Sequence, residues 1–128
     1  RKMKRNLSIP ALTLFAFFMV GPAVSADLQK GNAAYQRGDY AAAVSIWTSL
    51  AEQGDADAQE SLGYMYHSGD GVLQDYKMAH MWFNIAASLG DKSAAKSREI
   101  IEKKMSSSDI SKAQDLARQC VKKKYKGC

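Results

Sequence analysis

Histidine is scarce in this chain: His67 and His80 are the only two in 128 residues. A metal site needs more ligands, and pairing either one with Asp70 or Asp75 gives no compact ligand spacing. The two are read as partly exposed polar residues on helices, and no metal or cofactor is expected. Cysteine is equally sparse. Cys120 and Cys128 stand alone, with no Cys-x-x-Cys, which argues against a redox-active thiol pair. No Gly-x-Ser-x-Gly is present, so the nucleophile elbow of the α/β-hydrolases is missing. No Gly-x-x-x-x-Gly-Lys is present either, and Gly69-Asp70-Gly71 reads as a tight turn, not a phosphate cradle. Asp109 and Asp115 lie six apart on one helix and do not converge as an acid–base pair. No catalytic residue is assigned, and the expectation is a protein that is not an enzyme.

The only two prolines, Pro10 and Pro22, bracket an apolar run from about Ile9 to Val20. Arg1, Lys2, Lys4 and Arg5 precede the run, and Gly21-Pro22-Ala23-Val24-Ser25-Ala26 follows it. That order is a secretory signal peptide over residues 1–26, with cleavage expected after Ala26 and Met3 as the natural start. The run is short for a membrane anchor, which needs about 20 apolar residues. The expected mature protein is residues 27–128, one domain, periplasmic or secreted, touching membrane only through its leader. The leader holds four of the 18 bases and none of the 13 acids, so the mature charge is near +1. The whole-chain pI of 9.2 is thus poor support for nucleic-acid binding, and none is expected. Lys122, Lys123, Lys124 and Lys126 read first as a solvated helix end.

The mature region shows no β-alternating run. It shows an internal repeat. Gly31, Tyr35, Gly38-Asp39-Tyr40, Ala43, Trp47, Ala51 and Gly54 are followed in the same order by Gly63, Tyr66, Gly69 and Gly71, Asp75-Tyr76, Ala79, Trp82, Ala86-Ala87 and Gly90. Asp39 to Asp75 is 36 residues, Trp47 to Trp82 is 35, and Gly54 to Gly90 is 36. Ala79, Trp82, Phe83, Ala86 and Ala87 recur at steps of three and four, one face of a helix. Asp39 and Asp75 stand where N-caps are wanted; Gly38, Gly54 and Gly90 stand where chains leave helices.

A third unit is degenerate. A helix with Ala94, Ala95, Ile100 and Ile101 precedes Ser106-Ser107-Ser108-Asp109, a capping-box pattern. Ile110, Ala113, Leu116, Ala117, Cys120 and Val121 then form one apolar stripe. The expected fold is all-α: an α/α-repeat solenoid of six helices in three antiparallel pairs. Residues 27–54 form a partial repeat, 55–90 a full one, and 91–128 a degenerate pair that caps the stack.

The string Ala58, Leu62-Gly63, Tyr66, Gly69, Gly71-Val72, Asp75, Ala79, Trp82, Ala86-Ala87 and Gly90 resembles a Sel-one-like repeat, a relative of the tetratricopeptide repeat, here in an exported bacterial member. The first unit has a shorter turn and carries Lys30 where the family has Leu. The third lacks the turn and both landmark aromatics. The resemblance implies a superhelix whose concave face, lined by the first helix of each pair, holds a peptide or protein partner. It uses Tyr66 and Trp82 for packing and makes Asn32, Tyr35, Gln36, Glu60, Tyr64 and His67 the candidate contact residues. A monomer is expected.

An even cysteine count in an exported chain reads as one disulfide, Cys120–Cys128, with free thiols or an intermolecular bridge as alternatives. Cysteine-rich members of the resembled family use the same Cys-x7-Cys spacing between helices, which Ala87 and Ala95 occupy here. Some of those members are linked to penicillin-type compounds. Ser93-Ala94-Ala95-Lys96 matches a Ser-x-x-Lys spacing, a four-residue pattern frequent by chance. A structural envelope protein using the lysine tail on anionic surfaces is the other alternative.

Overall fold

The computed structural model describes residues 25–128. Of the expected leader only Ser25 and Ala26 are among them; residues 1–24 lie outside the described part. Six helices follow one another: α1 (Ala26–Gln36), α2 (Tyr40–Glu52), α3 (Ala56–Ser68), α4 (Tyr76–Ser88), α5 (Lys92–Glu102) and α6 (Ser107–Lys122). No strand occurs among the described residues.

Each helix starts on a side-chain cap. Asp39, Asp55, Asp75 and Asp91 accept backbone N–H groups at the starts of α2 to α5, at 2.9–3.3 Å. Ser106 does the same for α6 through Asp109 N–H at 3.1 Å. Ser25 caps α1 through Leu28 N–H at 3.1 Å, so the cleavage expected after Ala26 would remove that cap. A cap of this kind is worth about 1 kcal/mol. Exits use left-handed backbone, as at Gly54 with φ 88° and Gly90 with φ 100°, a region where a Cβ is unfavourable.

The first five helices pack each on the next. Ala43, Ala51, Ala58, Ala79, Ala86 and Ala94 are all buried, and their small side chains let neighbouring helices approach. Two positions go further. A Cβ on Gly31 would overlap the indole of Trp47, and one on Gly63 would overlap the ring of Phe83. The two units therefore place Trp47 and Phe83 in equivalent positions, 36 residues apart, the same spacing that separates Asp39 from Asp75. The 35-residue match of Trp47 to Trp82 pairs like with like but is one residue out of register. Trp82 is buried in its own right, and its ring belongs to the cluster formed with α2 and α3. Tyr66 packs against both hydrophobic clusters and joins them.

The last helix departs from the expected capping pair. α6 packs on α4, not as the hairpin partner of α5. Buried Ala113, Ala117 and Cys120 face inward. Beyond α6 the chain reverses through left-handed Lys124 and Tyr125, with φ 52° and 67°. Tyr125 N–H donates to the Cys120 carbonyl at 2.9 Å, and its ring lies against Gly54 in the α2–α3 turn. The Cys120–Cys128 disulfide closes this reversal, with Cα atoms 5.6 Å apart. The C-terminus thus covers the second helices α2 and α4 and leaves the outer side of α5 open.

On α5, Ile101 is buried and Ile100 is 58% exposed. Two expectations fail here. Val121 is 48% exposed, although it belongs to the expected apolar stripe of α6. His80 is fully buried, not partly exposed. Its Nε2 lies 2.8 Å from Glu102 Oε1 across the α4–α5 contact, which satisfies one ring nitrogen. Beside it Arg98 donates to Asn84 Oδ1 at 2.7 Å.

Candidate functional site

Helices α1 and α3 lie on the same side of the stack. Asn32, Tyr35 and Gln36 on α1 recur at three and four residues, as do Ser61, Tyr64, Met65 and Ser68 on α3, so each set lies along one helix face. Between them is an open groove of about 480 Å³, completed by Trp47, His67 and Asp70. Five of the six candidate contact residues, Asn32, Tyr35, Gln36, Tyr64 and His67, line it. Glu60 does not. It sits one turn before Tyr64, whose hydroxyl donates to its carboxylate at 3.5 Å.

The two tyrosines are half exposed, Tyr35 by 44% and Tyr64 by 45%, yet both are held. The Tyr35 ring packs against Tyr40 at 5.3 Å and Trp47 at 5.9 Å. The Tyr64 ring stands edge-on to Phe83 at 5.2 Å, and its hydroxyl is 2.8 Å from Ser97 Oγ on α5. Aromatic side chains fixed in this way contribute contact area at low entropic cost. His67 stacks on Tyr76 at 5.7 Å.

A second recess of about 80 Å³ shares Tyr64 and His67 with the groove and adds Ser97 and Ile100. The surface thus continues from α1 across α3 to α5. Ile100 lies 36 residues after Tyr64 and Ser97 lies 36 after Ser61. Each therefore stands at the groove position of the degenerate third unit, and this is why Ile100 is exposed. The sequence reading missed Ser97, Ile100, Asp70 and the role of Trp47 beneath the groove. Carrying the 36-residue period into α5 is the signal that finds the first two.

The electrostatics are one-sided. No lysine or arginine lines the groove or the recess. Burial holds the Glu60 carboxyl above the usual range; the Ser93 hydroxyl lowers it, and the charges of Asp91 and Asp57 raise it further. Asp57 is raised by burial, then by Asp55 and Asp91. None of Asp57, Glu60 and Asp70 has an ion-pair partner among the described residues. Ser93 and Lys96 are both exposed in the first turns of α5. Among the described residues no group of three or more His, Cys, Asp or Glu is placed to hold a metal ion.

The repeat-motif residues are placed as a packing set. Ala58, Leu62, Gly63, Ala79, Trp82 and Ala86 are buried, and Tyr66, Val72 and Ala87 are half-buried. Gly69, Gly71 and Gly90 take positive φ, and Asp75 caps α4. Residues 56–91, which span α3, its turn, α4 and the Asp91 cap, match the Sel1 repeat family model. No curated protein matches the chain. The chain thus carries one Sel1 repeat at the centre of an all-helical stack, which supports a Sel1-like repeat protein. Such repeats typically mediate protein interactions and are generally not enzymes.

Proposed function

We propose that the protein is an exported interaction module that holds a segment of a partner protein in the groove formed by α1, α3 and α5. The observation that carries this is the pair of half-exposed, positionally fixed tyrosines, Tyr35 and Tyr64, on one open groove. Tyrosine is enriched among the few residues that dominate binding at interfaces. Export is supported by the leader-like residues 1–26 and by the Cys120–Cys128 disulfide, a bond that persists in oxidising compartments. None of the described helices is long and apolar enough to cross a membrane.

The test is affinity capture from the native cell envelope with the wild type and the Tyr64→Ala variant side by side. A dominant partner retained by the wild type and lost by a folded Tyr64→Ala variant supports the groove. Equal retention by both removes it.

A further inference from the structure

The charge of this chain is segregated along its length. Residues 25–91 hold nine acids and three bases, whereas residues 92–128 hold eleven bases and four acids. Asp39, Asp55, Asp75 and Asp91 are accounted for as helix caps, where a negative charge also suits the helix dipole. Of the three bases, Lys30 is held by Asp27 at 3.7 Å. Asp57, Glu60 and Asp70 cap no helix and have no ion-pair partner among the described residues. Asp70 lines the groove, Glu60 adjoins Tyr64, and Asp57 adjoins Glu60. Asp70 thus lines the groove at the turn after α3, while Asp57 and Glu60 stand on the first turns of α3 beside it, and no base lines the groove.

We infer that the groove takes a cationic peptide segment, with lysine or arginine side chains over Glu60, Asp57 and Asp70 and an apolar side chain against Tyr35 and Tyr64. This rests on the groove reading above and names the chemistry of its occupant. An acidic segment would add like charge to carboxylates that already repel one another, which is unfavourable at short range. A neutral segment would gain the contact with the tyrosines and leave the acids unpaired. Burial first, and the neighbouring carboxylates after it, raise Asp57 and Glu60, and a bound cation offsets the second of these. The basic residues 92–128 make a second copy of this chain the competing occupant.

The test is selection of a phage-displayed random dodecapeptide library on protein expressed from the full chain, with Tyr64→Ala and Glu60→Gln as comparators. Far-UV circular dichroism confirms that both variants are folded. The expected result is enrichment of peptides with net positive charge whose affinity falls at least tenfold in Tyr64→Ala. It should also fall about threefold in Glu60→Gln and weaken as salt rises. Neutral or acidic peptides that still require Tyr64 would overturn the cationic assignment and leave the groove reading intact. Enrichment indifferent to Tyr64→Ala, or no enrichment, would overturn both. Concentration-dependent sedimentation abolished by Tyr64→Ala, without peptide enrichment, would assign the groove to a second copy and overturn the peptide inference.

Discussion

The ring of Phe83 rests on Gly63, in the space that a Cβ at that position would fill. Trp47 stands over Gly31 in the same way, so each pair of helices is brought together by one aromatic ring seated on one glycine. Overpacking a tight core costs about 1–3 kcal/mol, and the gain in helix propensity from glycine to alanine returns about 1 kcal/mol. Gly63→Ala and Gly31→Ala should therefore each be destabilising in chemical denaturation, by up to about 2 kcal/mol net. A stabilising Gly63→Ala would show that the contact is looser than described.

His80 relies on Glu102 for the only hydrogen bond its ring makes, and its Nδ1 has no partner among the described residues. Glu102→Ala leaves a buried ring with both nitrogens unsatisfied. An unmade buried hydrogen bond costs about 1–3 kcal/mol, so a loss in that range is expected by thermal or urea unfolding. Glu99→Ala, at an exposed neighbouring position, should change stability by less than about 0.5 kcal/mol.

The positive-φ reversal at Lys124 and Tyr125 is held by the disulfide and by the Tyr125 contact with Gly54. Closing so short a loop is worth about 2.5 kcal/mol on the chain-entropy account. Cys128→Ser, which leaves the buried Cys120 in place, should lower stability by about that amount and speed hydrogen exchange at the Tyr125 amide. Unchanged exchange there would mean that packing alone holds the tail.

Glu60 is raised above its ordinary value of 4.5, so the folded state binds its proton more tightly than the unfolded state. Its contribution to stability is fully present below the ordinary value and is lost as pH rises through the raised one. At pH 7 Glu60→Gln should therefore be slightly more stable than the wild type, by a few tenths of a kcal/mol after solvent screening. The difference should vanish as pH falls below about 4. A melting series from pH 3 to pH 8 reads this directly. Stabilisation by removing the charge would show that Glu60 does not serve the fold.

Much of the helix plan is legible in the sequence because it is local. The caps Asp39, Asp75 and Ser106 and the exits Gly38, Gly54 and Gly90 depend on a few adjacent residues. What was misread depends on distant contacts or on a single step around a helix. The sequence names both Ile100 and Ile101, neighbours about 100° apart, without choosing between them, and the contact with α4 selects Ile101. Cys120 and Val121 pose the same choice. His80 is buried because Glu102, 22 residues later, reaches it. The repeat register slipped by one because matching tryptophans were equated, whereas packing follows the ring that covers the glycine. The groove's first two helices were readable from the resemblance, but its extension to Ser97 and Ile100 was not, since the third unit lacks the landmark aromatics. α6 lies on α4 through small residues spread along its whole length, and that choice of partner leaves no local signature.

The most direct measurement is site-specific photo-crosslinking in the native envelope, with a photoreactive amino acid in place of Tyr64 in one preparation and in place of Gln114, exposed on α6, in another. The account predicts one dominant protein adduct from the Tyr64 position, suppressed by excess unlabelled wild type, and none of that mass from the Gln114 position. The same adduct from both positions, or only from Gln114, would contradict a binding groove on α1, α3 and α5.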